Sequence, residues 1–574
     1  MKTITKNKKQ NSKKKRTIKL KKQYKSKKLN DIFDIRPRLT IKNVLKLKEL
    51  TQTARAKSHD LLFLDANNYV EKDNNFIDAS NIYLYLMKNN YNKENIAKWL
   101  LYNSPEYSIR TYVFNKLLRD GKITDEDILK VYVNMLNNKS KYNFDMNNYE
   151  NVINEVNKLM HNENLCNKID LMEIIYYSDF SSNPNWLNHI KYYCNALKSY
   201  DTVYQPTLGN INTEKLDNLG IYILYNQSPA FKNSIEVISL LSEFVPIILY
   251  VEGTDIDTKY DKYIKHRQNL KIELIGGKSD DEVSNLMKIN NHIFLIFIYG
   301  FFHRKNVVLE HPAKYTFHYL DIIGIYTKKL FDFNIIDKYL HKYLSKYEDI
   351  ENDFGLVKLD IPIHMTPVCN ICEISRPMYN PEQIRIGLIL NECKLCNKTI
   401  NIINKILAKN NKIYLTIYGF CDKIWLFSNF NKKYNSRIEL KSYDNNNYMN
   451  ELQNNLLYID TFLCSGHSTA MEILKSNRPL IAFKNKTKFF GLVSSNIIQH
   501  IDMCDELCAN TEDEYVELVL HHLKNETYYY ILYNKFINQL QKSNILDNGK
   551  YAEELYNKLN ELYKSLTNKF IINY

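Results

Sequence analysis

Hydrophobic and polar residues alternate along this chain in two rhythms, and the change falls near residue 216. Before it, apolar residues recur at helical spacing. The segment TDEDILKVYVNML (124–136) is representative. Thr124 can cap a helix with Asp127 three positions on, a capping box with Asp in place of the usual Glu or Gln, and Ile128, Val131, Tyr132, Met135 and Leu136 then share one face. Similar patterns predict helices around 78–89, 93–103, 106–119, 147–160, 168–178 and 185–199. Paired helices with short turns over residues 55–205 predict an all-helical domain, α-solenoid-like or a bundle, with no clean repeat period to name it further.

From about 216, short β-rich apolar runs alternate with helical stretches. GIYILYN (220–226), PIILYVEG (246–253), HIFLIFIYG (292–300) and FNIIDKYL (333–340) are predicted strands, with helices such as 234–244 and 280–290 between them. This alternation predicts parallel strands joined by crossover helices. The stretch 341–380 is looser, with prolines at 362, 367 and 377, and reads as the end of one domain and a link to the next. The alternation then restarts. RIGLIL (385–390), KIYLTIYG (412–419), RIELKSY (437–443), LLYIDTFL (456–463) and LIAF (480–483) are predicted strands; 397–409, 446–454, 468–476 and 512–523 are predicted helices. The expected fold class is therefore α/β, a pair of Rossmann-like domains over 216–375 and 384–545 after the helical domain. A carboxyl-terminal helix over 546–574 is expected to pack back on the body.

Composition adds one feature. With 574 residues, 44% hydrophobic and 25% charged, the chain is an ordinary globular protein long enough for several domains. Scarce Gly (14) and abundant Tyr (45), with much Asn, Lys and Ile, fit an AT-rich genome such as that of a large DNA virus or a protist. The net charge of +14 is concentrated: residues 1–30 carry fourteen Lys and Arg and no acid, leaving 64 basic residues against 64 acidic ones. So charged and apolar-poor a segment cannot bury enough surface to fold, so a disordered basic arm is expected. It suits contact with nucleic acid or an anionic surface, a nuclear address, or a solvated tail, whereas the neutral body argues against a nucleic-acid-binding fold. The amino terminus lacks the apolar core of a signal peptide, and HIFLIFIYGFF (292–302) is too short to span a bilayer. The expected setting is cytoplasmic, or nuclear through the arm, or host cytoplasm or virion if the source is a virus, and the ten cysteines are expected as reduced thiols.

One stretch stands apart chemically: CSGHSTAMEILKSNRPLIAF (464–483). A strand, a Gly-His-Ser-Thr loop and a helix follow one another there. In an open parallel sheet, ligands bind beyond the carboxyl ends of the strands. A helix start offers unpaired N–H groups and a positive dipole end. Gly466 permits close backbone approach; His467, Ser468 and Thr469 add side-chain donors; Glu472, one turn on, can accept from ribose hydroxyls. These residues suit a metal-free diphosphate site. They also suit a plain helix cap at Ser468 beside a loop histidine.

The nine residues GHSTAMEIL, with IDTFLC before and RPLIAF after, resemble the nucleotide-binding signature of the O-GlcNAc transferase family, which includes the SPINDLY-type fucosyltransferases. GLVSSNIIQHI (491–501) extends the resemblance, as does ILNECKLCNKTINIINKIL (389–407). It implies a GT-B-like fold, two Rossmann-type domains with a cleft between them. It places Lys394 on a lysine that contacts the diphosphate, Asn391 on a glutamine at the nucleotide and, with one gap, Tyr448 near a histidine that contacts the base. It makes Lys394 and His467 the candidate catalytic residues, and Asn391, Lys394, Tyr448, Gly466, His467, Ser468, Thr469 and Glu472 the candidate donor-binding set. It further implies inverting, metal-independent transfer of a GlcNAc-like sugar from UDP-GlcNAc or GDP-fucose to a protein Ser or Thr hydroxyl, with no cofactor beyond the donor. Two departures lie in the first α/β domain. A Gly-Tyr-Pro-Gly-Thr turn of the family is replaced by Asp-Ile-Ile-Gly-Ile. A family histidine after the first strand, a proposed general base, has no counterpart in YNQSPAFKNS (225–234). These departures motivate the alternative of a catalytically inactive GT-B-fold nucleotide-binding protein or adaptor.

Two further sets of residues admit rival readings. CNIC (369–372) and CKLC (393–396) have zinc-ligand spacing but lack the glycines usual after each knuckle, so reduced cysteines are the competing reading. His303, His311 and His318 fall in the first α/β domain and are expected to be structural or surface residues.

Overall fold

In this computed structural model the described residues are 59–71, 76–88, 93–104, 107–120, 122–137, 149–160, 215–224, 229–298, 304–319, 325–347, 350–363, 365–367, 375–419, 422–442, 447–462, 465–484 and 490–572, with the isolated positions 139, 146, 187, 190, 191 and 194. The basic arm, the CNIC pair, His303, the predicted helix at 168–178 and most of that at 185–199 lie outside them. The chain divides into two compact units, one up to residue 169 and one from residue 170.

The first unit is helical among its described residues: His59–Glu71, Phe76–Lys88, Lys93–Asn103, Tyr107–Arg119, Asp125–Asn137 and Tyr149–Met160. The cap expected from 124–136 is formed in both directions. The Asp127 N–H donates to Thr124 Oγ1 (3.1 Å), and the Thr124 N–H donates to Asp127 Oδ2 (3.0 Å). Ile128, Val131, Tyr132, Met135 and Leu136 are all buried, as their shared face requires.

The second unit holds two parallel sheets. The first comprises β1 (Leu219–Leu224), β2 (Ile247–Glu252), β3 (Leu270–Leu274), β4 (Phe294–Ile298), β5 (Tyr315–Tyr319), β6 (Phe333–Asp337) and β7 (Leu356–Leu359), in the order β3-β2-β1-β4-β5-β6-β7. The second comprises β8 (Ile384–Ile389), β9 (Ile413–Tyr418), β10 (Ile438–Lys441), β11 (Leu457–Ile459), β12 (Leu480–Phe483) and β13 (Cys508–Ala509), in the order β10-β9-β8-β11-β12-β13. Winding reverses at β1/β4 in one and at β8/β11 in the other, the switch points at which Rossmann-type sheets bind ligands. The paired Rossmann-type architecture is therefore present.

Two expected strands end early, each for a local reason. The 333–340 run stops at Asp337, whose carboxylate accepts from the N–H groups of Tyr339 and Leu340 (both 2.9 Å) and starts a helix instead. The 456–463 run stops at Ile459, because Asp460 turns its carboxylate onto the loop that follows. Strands β3, β5, β7 and β13 are additional to the expected ones. β3 (LKIEL) is a part-exposed edge strand, β7 has four residues and β13 only two, so none of these three offers a long apolar run.

β8 and β11 approach closely because β8 carries Gly387. A Cβ there would lie 2.1 Å from the Tyr458 ring of β11. At the far end, Glu526–Ser543 packs by the second sheet, where the Tyr529 hydroxyl donates to Leu456 O (2.8 Å). After a left-handed Asn544 (φ 54°) the final helix, Asn548–Ile572, crosses to the first sheet's domain, where the Tyr551 hydroxyl donates to Ile363 O (2.8 Å) and Tyr563 packs edge-on to Phe294. His500 Nε2 and Asp337 Oδ1 also meet across the two α/β domains at 4.0 Å. Among the described residues no helix is long and apolar enough to cross a membrane.

Candidate functional site

The residues singled out near 394 and 467 gather at the β8/β11 switch point. β8 ends at Ile389 and runs into Asn391 and a short 3₁₀ turn, Glu392–Lys394, before helix Asn397–Lys409. β11 ends at Ile459 and runs into the loop that enters helix Ser468–Lys475. Since β8 and β11 are hydrogen-bonded neighbours, the two loops leave the same edge of the sheet side by side.

Asp460 organises the second loop. Its Oδ1 accepts from the N–H groups of Thr461 and Gly466, both at 2.8 Å. Burial pushes this carboxyl up to about 6; Ser494, those two backbone N–H groups and the positive charge of Lys394 pull the other way. The positive charge of Lys394 thus bears on the carboxyl that pins the second loop, and the loops that carry the two leave neighbouring strands. The Ser494 hydroxyl donates to Gly466 O (2.6 Å), and the Ser494 N–H donates to Ser465 Oγ (3.3 Å). A Cβ on Gly466 would meet Thr469 Oγ1 at 2.9 Å and Ser494 Oγ at 3.2 Å, so a side chain there would displace these two hydroxyls.

His467 is the N-cap residue of Ser468–Lys475 (φ −105°, ψ −99°) and is buried, with no side-chain capping bond; Ser468 and Thr469 are half-buried at the first positions of the helix. The opposite end of this eight-residue helix is fastened firmly. Asn477 takes a left-handed turn (φ 54°), and the wholly buried Arg478 donates to the carbonyls of Gln453, Asn455, Ser476, Asn477 and Ser375. A guanidinium that binds carbonyls from three chain segments fixes where the helix start points.

Glu472 lies one turn into the helix and is only 2% exposed. Oε1 accepts from Lys232 Nζ (3.0 Å), and Oε2 from the Tyr448 hydroxyl (3.2 Å). Tyr448, placed near the base by resemblance, is buried at the first position of Tyr448–Leu452, and its ring is edge-on to Tyr418. Asn391 is exposed, and its carbonyl closes the 3₁₀ turn by accepting from the Lys394 N–H (2.9 Å). Cys396 is buried, with Sγ 3.3 Å from Thr399 Oγ1; among the described residues no group of three or more His, Cys, Asp or Glu is arranged to hold a metal ion.

Two of the first domain's histidines, His292 and His318, are buried. His318 is buried in β5 and pushed by burial down to about 3. His311 occupies a left-handed turn (φ 44°). His292 is pushed by burial down to about 4. Its ring meets the Tyr250 hydroxyl at Nε2 (2.7 Å) and Asn218 Oδ1 at Nδ1 (3.0 Å), which suits a neutral ring donating from Nδ1 and accepting at Nε2. Sequence reasoning missed Lys232 and the loop-pinning role of Asp460. Asp460 had a signal, an acid just after a predicted strand and before a Gly-containing loop. Lys232 had none, being one lysine among many.

Residues 446–555 match the model of glycosyl transferase family 41. In fold, the chain is similar to a mutant of the Thermobaculum terrenum O-GlcNAc transferase, with a TM-score of 0.64 and 13% identity over 92% of this chain and 99% of that one. A looser likeness is to S. aureus TarM in complex with fondaparinux, α-GlcNAc-glycerol and UDP: TM-score 0.40 and 10% identity, over 60% of this chain and 99% of the other. No curated protein matches the chain in sequence. The family match spans the 467–472 helix start and Tyr448, and the fold likeness covers 92% of the chain, so the fold is that of an O-GlcNAc-transferase-type GT-B pair with a segment similar to family 41 at 446–555.

Proposed function

We propose that this chain is a glycosyltransferase that moves a GlcNAc-like sugar from a nucleotide-sugar donor, UDP-GlcNAc or GDP-fucose, to a protein Ser or Thr hydroxyl, with inversion and without a metal. The observation that supports the reading is that the turn carrying Lys394 and the loop entering helix Ser468–Lys475 follow the neighbouring strands β8 and β11 at the switch point. The acceptor oxygen attacks the anomeric carbon. The bond from that carbon to the donor's phosphate oxygen breaks, and the nucleoside diphosphate leaves with the electron pair. Negative charge grows on the leaving phosphate, where a lysine and the backbone N–H groups of a helix start stabilise it. In this reading Lys394, His467, Ser468 and Thr469 hold the diphosphate, Asn391 and Tyr448 the nucleoside side, and Glu472 the ribose. The acceptor's proton passes to water or to the donor phosphate.

A thermal-shift panel of UDP, GDP and their sugars tests this. A ligand at about 100 times its Kd stabilises the fold by ~2.7 kcal/mol, a rise in Tm of a few degrees. We expect one nucleotide to give that shift, and Lys394→Ala and His467→Ala each to abolish the shift measured against its own unliganded Tm. If neither nucleotide shifts the wild type, the site assignment falls.

A second reading, a nucleotide-binding protein without transfer, is favoured by one observation. Residues 225–234 contain no histidine, and His292 and His318 of the first domain are buried and pushed down by that burial. Turnover of the bound sugar nucleotide with a protein acceptor separates the two.

A further inference from the structure

We propose that Lys232 is a positioning residue for the nucleotide site, acting across the cleft through Glu472; the inference rests on the reading of Glu472 as the ribose acceptor. Lys232 lies on helix Pro229–Leu241, directly after β1, the first sheet's switch-point strand. Its ammonium reaches out of that domain to Glu472 Oε1 (3.0 Å), 240 positions away in sequence. The pair is asymmetric: the lysine side chain is 30% exposed and the carboxylate 2%. Lys232 is also the one cationic residue of 225–234.

The geometry gives Lys232 two jobs. It offsets the charge of a buried carboxylate one helical turn from the start of Ser468–Lys475, where an uncompensated anion would repel a diphosphate. With the Tyr448 hydroxyl on Oε2 and Lys232 on Oε1, the plane of the carboxylate is fixed from both sides. A ribose recognised by Glu472 is then recognised only when the two α/β domains are apposed. Nucleotide affinity and domain apposition become one equilibrium, since whatever favours the Lys232–Glu472 contact favours the binding geometry.

Calorimetric binding of UDP, GDP and their 2′-deoxy counterparts to the full chain tests this. The wild type is expected to prefer one ribonucleotide over its 2′-deoxy form. Lys232→Met is expected to weaken that ribonucleotide about tenfold, the loss of one charge-assisted hydrogen bond, and to bring the ribo-to-deoxy ratio towards one. Lys232→Arg should keep the ratio. Glu472→Gln should collapse it, and adding Lys232→Met to Glu472→Gln should change it no further. A folded Lys232→Met with the wild-type ratio overturns the proposal and leaves the nucleotide site standing. A further loss in the double variant overturns it too, because Lys232 would then touch the diphosphate directly. A wild-type ratio of one removes Glu472 from the ribose, and this inference with it, while the diphosphate site survives. No binding of either nucleotide defeats the site reading as a whole. If Lys232→Met does not fold, Lys232→Gln and Lys232→Arg carry the same comparison.

Discussion

Asp460 holds a buried carboxylate where a loop must turn, and its titration has a sign that can be checked. Burial moves it from an ordinary 3.8 to about 6. A carboxyl whose folded value lies above its unfolded one binds its proton more tightly in the native state. Its contribution to stability is therefore intact below about pH 4 and lost as pH rises through about 6. A displacement of that size corresponds to about 3 kcal/mol in this fully buried setting. Asp460→Asn keeps the acceptor for Thr461 and Gly466 and removes the charge. The Tm of the variant relative to wild type should thus rise steadily between pH 4 and pH 6 and level off above. A difference that is flat across that window would show that Asp460 is ionised in the fold without penalty. At this scale the sequence was informative wherever residue type implies geometry, as at Gly466 and the Ser468–Thr469 helix start. It was silent on Lys232, whose role depends on a partner 240 positions away.

At the scale of elements, local chemistry and periodicity agree closely with the structure. Helix Asn397–Lys409 coincides with its prediction, and Asp125–Asn137 begins at the Thr124 cap. Thr124→Ala removes that cap's hydroxyl, which is worth about 1 kcal/mol, so amide hydrogen exchange in the first turn of Asp125–Asn137 should quicken about fivefold while distant helices keep their rates. Unchanged exchange would mean that packing of Ile128 and Tyr132 alone sets the helix start. The elements that escaped prediction share a cause. β3 is a five-residue edge strand that mixes Lys271 and Glu273 with its apolar residues, and β13 is two residues long. Their existence depends on a neighbouring strand to pair with, which no local window contains.

The whole molecule is closed by its last helix. Tyr551, Leu555, Leu559 and Tyr563 of Asn548–Ile572 are buried, and Asn548 exchanges hydrogen bonds with both N–H and C=O of Thr366 (3.2 and 3.1 Å). Burying four such side chains contributes on the order of 6–12 kcal/mol, an upper bound comparable to the total stability of a domain. Truncation after residue 546 should therefore expose the first α/β domain to limited proteolysis while the second, held by Glu526–Ser543, stays resistant. Equal resistance in the truncated chain would show that the helix is an accessory.

The sequence by itself determined the helical first part, two successive α/β domains, and the loop that enters the helix at 468, because periodicity, caps and glycine requirements act over a few residues. Only the tertiary structure decided that β8 and β11 are neighbours, that the turn carrying Lys394 and the Asp460 loop follow adjacent strands, that Lys232 closes on Glu472 and that the final helix returns to the first domain. Each of those depends on strand order and domain apposition. The free energy of such contacts is realised between residues tens to hundreds of positions apart, and it leaves no periodic trace along the chain.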